Sequence, residues 1–268
     1  MLAYSLKILV FWDSLLKGDT VFLYRMPEKI IIWSFETWYH TVISMFLFFN
    51  LLYWGSALGG QLLLKFFHRK SVISTIDNDN IRPGQVKREI SKSMMSIAVF
   101  SLQGIIFQQG IQHGWLHISY SFNWICLIEI PVLFLWNEIH FYLCHALMHR
   151  KWFMRHVHTE HHRSKEPTVF STYSFHWFEA FLLGTVIIPP LLFYPFHVLS
   201  VLSLPVMSIL INMLGHSNYE FHGGRNPGHL LKFSYRHSMH HKTAKGNFGF
   251  MLPWFDQLFN TTYKTKEK

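Results

Sequence analysis

The sequence predicts an all-α integral membrane protein with about four to five membrane segments and a histidine-rich helical cap on the cytoplasmic side. Half of its 268 residues are apolar and 18% are aromatic. Several apolar runs approach the roughly 20 residues that an α-helix needs to cross a bilayer. Histidine is the third signal, because residues 145–162 include six histidines.

Apolar runs ahead of the histidines predict the first membrane helices. They cover residues 40–64, 94–111 and 122–143. The third run contains Glu129 and Glu138, and a carboxylate at membrane depth is costly unless it faces protein or a functional site. A fourth region, residues 178–214, is too long for one helix and has three prolines between positions 189 and 195. It predicts two helices in a hairpin.

The basic residues predict how the chain is oriented, because short loops rich in Lys and Arg stay on the cytoplasmic side. Residues 112–121 contain no charged side chain and fit the opposite side. The third run then returns the chain to the cytoplasm, where the histidines begin. This membrane is the endoplasmic reticulum in a eukaryote or the inner membrane in a bacterium. The basic residues that connect the first two runs are Lys65, Arg69, Lys70, Arg82, Lys87, Arg88 and Lys92.

The formal charge of +9 could indicate nucleic acid binding, but the basic residues flank apolar spans. Contact with anionic lipid headgroups explains them better, so we expect a membrane and no nucleic acid partner. The first 16 residues predict a short interfacial helix that is retained, because no small-residue cleavage site follows them.

The spacing of the histidines predicts metal binding. Residues three or four apart project from one face of a helix and can share a metal ion. Eight histidines in three boxes, with His216 between the second and third, are too many for one zinc and suit two metal ions. Imidazole accepts iron, zinc, copper or nickel, so the ligand type leaves the metal open. The boxes contain His145 and His149, then His158, His161 and His162, then His237, His240 and His241.

Other polar residues near the boxes are also candidates. Glu138 and Glu179 are candidates to fix the tautomers of metal-binding histidines, with plain capping of backbone N–H groups as the alternative. His140 is a further candidate to support the site, whereas His156 breaks the helical spacing of its box and is interpreted as structural.

The three boxes, HxxxH, HxxHH and HxxHH, resemble those of the fatty acid hydroxylase and sterol desaturase superfamily of membrane di-iron oxygenases. The stretches "VKREISKSMMS", "FHWFEAF" and "HHKTAKGNFGFMLPWFDQLFNT" extend the resemblance. It implies a catalytic domain over residues 81–262. We expect residues 1–80 to anchor the chain in the membrane and residues 263–268 to form a basic tail.

The resemblance also implies the cofactors and partners. It implies two iron ions, dioxygen as co-substrate, and electrons from a cytochrome b5 or ferredoxin with its reductase. The eight box histidines would be catalytic metal ligands, and His216 matches a further ligand position. Glu220 stands where some members have another histidine, and His222 lies two residues beyond it, so both are candidates for a tenth ligand. The first box has Ala146 where the family often has arginine.

The sequence thus predicts an oxidoreductase that hydroxylates or desaturates an unactivated C–H position of a lipid. A membrane zinc hydrolase is one alternative, although the usual HExxH motif is absent and Glu160 is displaced from its position. A metal transporter is another, although its ligands would lie within the spans. The end of the chain, "YKTKEK", fits a solvated basic tail or, with Lys264 and Lys266, a dilysine retrieval signal of the endoplasmic reticulum.

Overall fold

A computed structural model describes residues 30–77, 81–121, 123–224 and 226–263. The helix predicted within the first 16 residues and the lysines of the tail lie outside the described residues.

Within the described residues, four helices are long and apolar enough to cross a membrane, and a fifth apolar helix is shorter. The chain is therefore an all-α integral membrane protein, as predicted. The predicted spans are confirmed as helices, although each begins or ends a few residues from the apolar run. In chain order the helices are α1 (Trp38–Arg69), α2 (Gln85–Gln112), α3 (Cys126–Met148), the shorter α4 (Trp177–Phe193), and α5 (Val198–Gly215).

Small residues let α1 pack closely against its neighbours. A π-helical turn, Gly55–Gly59, joins its two α-helical parts. Gly60 follows this turn, and a Cβ atom there would lie 2.4 Å from the Cε atom of Met213 on α5. Glycine at this position therefore allows the close approach of the two helices, as small residues do between membrane helices.

The predicted hairpin over residues 178–214 is confirmed. It consists of α4 and α5, which are separated at residues 194–197. A 3₁₀ turn, Thr185–Ile187, interrupts α4, and the following part, Ile188–Phe193, has prolines in its first turn. Proline is tolerated there because the first turn leaves backbone N–H groups without partners inside the helix.

Short strands tie together the connections at each end of the helical bundle. β1 pairs with β4 in antiparallel fashion, which joins the α1–α2 connection to the residues that follow α5. β2 pairs with β3 in parallel, which joins the α2–α3 connection to the α4–α5 turn. The α4–α5 hairpin therefore runs to the far end of the bundle and returns. The strands are β1 (Ser74–Thr75), β2 (Ile118–Ser119), β3 (Phe196–His197) and β4 (Tyr219–Glu220).

The structure explains why the third apolar run contains the carboxylate of Glu129. It lies in the first turn of α3, is 6% exposed, and accepts a hydrogen bond from the backbone N–H of His197 at 2.9 Å. Its role is to hold the α4–α5 turn at the far end of the bundle.

The end of the bundle marked by β1 and β4 also carries short helical elements. Here α3 finishes, the histidine-rich residues 151–162 follow, and α5 finishes. The predicted cap therefore exists at one end of the bundle. Its elements are Lys151–Phe153, the π-helical Met154–His158, Thr159–His162, the 3₁₀ turns Val169–Ser171 and Leu230–Lys232, α6 (Phe233–Thr243) and α7 (Trp254–Leu258).

Candidate metal centre

Nine histidines meet in two adjacent groups at this end of the bundle. Within each group, one nitrogen atom from every histidine lies within 4.8 Å of the others. The ring centroids of His162 and His241, one from each group, are 4.9 Å apart. The five-histidine cluster contains His145, His149, His158, His162 and His240, and the four-histidine cluster contains His161, His216, His237 and His241.

The adjacent histidines explain how one short element serves both clusters. Neighbouring residues on a helix point in directions about 100° apart. His161 accordingly joins the four-histidine cluster while His162 joins the other, and His240 and His241 divide in the same way. A π-helical turn, Met154–His158, precedes the first pair, a feature often found at functional sites.

Hydrogen bonds fix the protonation of most ring nitrogens. In six of the nine histidines the Nδ1–H group donates to a carbonyl or carboxylate oxygen. A neutral imidazole has a single N–H group, so the Nε2 lone pair of each remains free for a metal ion. The donations are His145 to Phe248 (2.8 Å), His158 to Glu179 (2.8 Å), His161 to Ser174 (3.3 Å), His216 to Asn212 (2.9 Å), His240 to Gly246 (2.6 Å) and His241 to Ser164 (2.9 Å).

The Nε2 atoms then face one another without protons. Those of His216 and His241 are 3.2 Å apart, although both rings carry their proton on Nδ1. Two lone pairs at this distance repel each other unless a cation lies between the rings. The Nε2 atoms of His145 and His158 are also buried without a hydrogen-bond partner. The donor set therefore fits metal ions that imidazole prefers.

Burial and mutual repulsion keep the rings neutral. Eight of the nine histidines are buried, and His149 is partly exposed. Burial, followed by the charge of His162, lowers the pKa of His149 to about 3. Burial likewise lowers the pKa of His162 and of His216 to about 4. At neutral pH these rings therefore carry free lone pairs, which is the form that binds metal.

The structure does not bring Glu220 and His222 to either cluster. Glu220 belongs to β4 and pairs with the ammonium group of Lys232. The His222 ring stacks on the His229 ring, with centroids 3.8 Å apart. For either residue to bind a metal ion at these clusters, the segment around β4 would have to rearrange.

The nearby histidines also lie outside the clusters. His140 contacts the hydroxyl of Thr185 at 3.2 Å. His156 bonds through Nδ1 to the carbonyl of Trp152 at 2.9 Å, which agrees with a structural role. His176 caps the N-terminus of α4.

The two carboxylates near the boxes have different roles. Glu179 bonds to His158, as predicted. Glu138 does not bond to a histidine, because its Oε2 atom accepts the backbone N–H groups of Met251 (3.0 Å) and Leu252 (2.7 Å). Glu138 therefore has the second of the two predicted roles, because its carboxylate accepts backbone N–H groups and holds the loop after α6 in place.

That loop contains residues that the sequence analysis missed. The carbonyl groups of Gly246 and Phe248 orient one histidine each, and Asp256 accepts the N–H groups of Phe248 and Gly249, both at 2.8 Å. Gly246 has a left-handed φ of 58°, and a Cβ atom there would lie 2.3 Å from the Thr261 carbonyl oxygen. The stretch "GNFGFMLPWFD" contains these residues and contributed to the family resemblance, but the histidine spacing gave them no individual role.

A small, mostly apolar cavity of about 10 Å³ lies beside both clusters. His145 and His158 of one cluster and His161 of the other lie in its wall. Carbon and sulfur groups dominate the rest of the lining, to which Glu179 and Asn212 also contribute, and the cavity has room for about one water molecule. The lining includes Phe141, Cys144, Met148, Phe175, Leu182 and Leu183.

The comparison with protein families agrees with this site. Residues 130–261 match the model of the fatty acid hydroxylase family, a stretch that contains all nine histidines. The match covers 132 of the 268 residues, which is just under half of the chain. The resemblance to the fatty acid hydroxylase and sterol desaturase superfamily is thereby confirmed.

Curated proteins that are similar to the chain have names that refer to lipids. A protein of Arabidopsis thaliana named as a Delta(7)-sterol-C5(6)-desaturase is 27% identical over 198 residues, which cover 67% of this chain and 69% of that protein. The very-long-chain aldehyde decarbonylase GL1-11 of Oryza sativa subsp. japonica is 29% identical over 52% of this chain and 54% of its own length. Methylsterol monooxygenase 1 of Danio rerio is 28% identical over 46% of this chain and 42% of its own.

The match thus spans about half the length of the latter two relatives. No solved structure matches the chain.

Proposed function

We propose that the protein is a membrane-bound di-iron oxidoreductase that uses dioxygen to hydroxylate or desaturate an unactivated C–H position of a lipid. The observation that carries the proposal is the convergence of unprotonated Nε2 atoms in two adjacent clusters. The names of the relatives, which refer to sterols and very-long-chain aldehydes, support a lipid substrate.

Two bound irons would activate dioxygen and supply the oxidant for a C–H bond that no side-chain acid or base can break. The nine cluster histidines would hold the two ions, and backbone carbonyls together with Glu179 would keep the Nε2 atoms of six of them directed inward. The apolar side chains around this cavity would exclude water from the reacting carbon. Hydroxylation would add oxygen to that carbon, and desaturation would remove a second hydrogen.

The surroundings of the site suit this role. Both clusters lie at the end of the bundle that carries the basic α1–α2 connection, which we assign to the cytoplasmic face. Electrons would then come from a cytochrome b5 or ferredoxin with its reductase. We assign the protein to the endoplasmic reticulum in a eukaryote and to the inner membrane in a bacterium.

Oxygen uptake by the purified protein in lipid vesicles would test the proposal. With iron and a reductant, uptake should rise when a sterol or fatty acyl lipid is added, and mass spectrometry should find a hydroxyl group or double bond in that lipid. His161→Ala should lose both signals. Water-derived oxygen in a cleaved lipid would instead indicate a zinc hydrolase, and metal uptake into vesicles without lipid oxidation would indicate a transporter.

A further inference from the structure

A polar stripe on α2 is buried, although it lies at the start of a membrane helix. Gln85, Glu89 and Ser93 recur every four residues and so lie on one face of the helix. They are 3%, 0% and 0% exposed. Buried polar groups are costly unless they are hydrogen-bonded, so this stripe must have partners.

The partners lie in the segment 164–170, which follows the second histidine box. The amide of Gln85 also bonds to Glu89 at 2.9 Å, which completes the network within the stripe. Successive turns of α2 hold every second residue of this segment. In order, Gln85 donates to the Glu166 carbonyl (2.8 Å), Glu89 accepts from the Thr168 hydroxyl, and Ser93 donates to the Phe170 carbonyl (3.0 Å).

Ser164 is the residue where this segment meets the metal centre. Its carbonyl accepts the Nδ1–H of His241 at 2.9 Å. Its hydroxyl is buried and accepts a hydrogen bond from the Arg88 guanidinium at 2.8 Å. The Glu89 carboxylate holds the same segment four residues further on, where it accepts a hydrogen bond from the Thr168 hydroxyl. Arg88 therefore holds Ser164 directly and Glu89 holds the same segment at Thr168, and Ser164 in turn orients a histidine of the four-histidine cluster.

We propose that Arg88 and Glu89 are positioning residues for the four-histidine cluster. They fix Ser164 so that its carbonyl keeps His241 protonated on Nδ1, with Nε2 directed at the metal. The proposal rests on the proposed function in one respect, that the cluster binds metal.

The effect should be confined to one of the two clusters. Three members of the five-histidine cluster are oriented by groups outside the segment 164–170: Phe248 for His145, Glu179 for His158 and Gly246 for His240. Loosening the segment therefore leaves those hydrogen bonds in place.

Competition between Co²⁺ and a chelator would test the proposal in the full-length protein. Arg88→Met and Ser164→Ala should each weaken Co²⁺ binding at the four-histidine cluster by about 10- to 100-fold, the usual effect of removing groups that orient metal ligands. Half of the bound Co²⁺ should leave at low chelator concentration and half should remain as in the wild type. Arg88→Lys should restore part of the affinity, because an ammonium group can donate to the same hydroxyl.

The matched control is Ser101→Ala. Ser101 is also a buried serine of α2, but its hydroxyl donates to the Ile97 carbonyl of the same helix at 2.6 Å. This variant should bind Co²⁺ like the wild type.

Wild-type Co²⁺ retention in both Arg88→Met and Ser164→Ala would overturn the proposal. So would equal loss of Co²⁺ from both clusters, since general destabilisation predicts that result. The assay uses neither lipid nor dioxygen, so a protein that passes it but oxidises no lipid contradicts only the proposed function. A wild-type protein that binds no Co²⁺ contradicts both proposals.

Discussion

Glu179 offers a sharp test of how the five-histidine cluster is organised. Its Oε1 atom lies 2.8 Å from Nδ1 of His158, and the two side chains are only 4% and 1% exposed. Glu179→Leu would leave the N–H group of His158 buried without an acceptor and free the ring to rotate. Such changes typically cost 10- to 100-fold in metal affinity, which corresponds to about 1.4–2.8 kcal/mol. Glu179→Gln keeps an acceptor oxygen but loses the charge, so its effect should lie at the lower end.

Metal affinity of the purified variants would be measured by Co²⁺ competition with a chelator. The control is Glu160→Gln, which removes a carboxylate near the same box. Glu160 pairs with Lys92 at 3.6 Å and Arg163 at 3.5 Å near the surface, where ion pairs contribute little. It should therefore bind Co²⁺ nearly as tightly as the wild type. The reasoning is refuted if Glu179→Leu retains wild-type affinity, or if Glu160→Gln loses as much.

Three further predictions concern the ligands, the topology and the pH dependence. His161→Ala and His240→Ala should each lose activity and part of the bound iron while the chain still inserts into membranes, and full activity in either would contradict the ligand assignment. Cysteines introduced at the exposed positions Lys165 and Lys245 should be labelled from the same side of sealed vesicles. A cysteine at the exposed position His113 should be labelled from the other side. Labelling of the first two from opposite sides would place the histidine boxes on different faces of the membrane. The metal-free protein should melt at progressively lower temperature as the pH falls from about 6.5 to about 4, because unfolded histidines take up protons there while cluster histidines with a pKa of about 3 or 4 do not. A melting temperature that stays constant over that range would show that the rings are not held neutral.

Most of the fold was predictable because the length of an apolar run and the position of a proline determine local structure directly. The helices and the α4–α5 hairpin depend on apolar runs and on where a helix can break. The pairing of β2 with β3 was not predictable, because it joins residues about 78 positions apart in two-residue strands that have no sequence signature of their own. That pairing places the α4–α5 turn at the far end of the bundle, so that the second and third histidine boxes lie together at the other end.

Histidine spacing predicted which residues gather but not how they divide between clusters. His161 and His162 separate because neighbouring helical residues point about 100° apart, but which cluster each one joins depends on how this short helix is placed. Glu138 and Glu179 looked equivalent in sequence, since both are acidic residues near a histidine box. Their different roles follow from the loop after α6, which places the backbone N–H groups of Met251 and Leu252 against Glu138.

Glu220 was a candidate ligand because of its offset from His216. Its position is decided instead by the pairing of β4 with β1 and by Lys232, twelve residues further along the chain. Contacts of this kind depend on tertiary structure, so spacing from a single histidine could not reveal them.

Elemental analysis of the purified protein, combined with Mössbauer spectroscopy after iron loading, tests the central claim most directly. The two clusters predict close to two irons per chain with magnetic coupling between them, and a clear loss of iron in His240→Ala. A single metal ion per chain, or two uncoupled irons that remain in His240→Ala, would contradict the account.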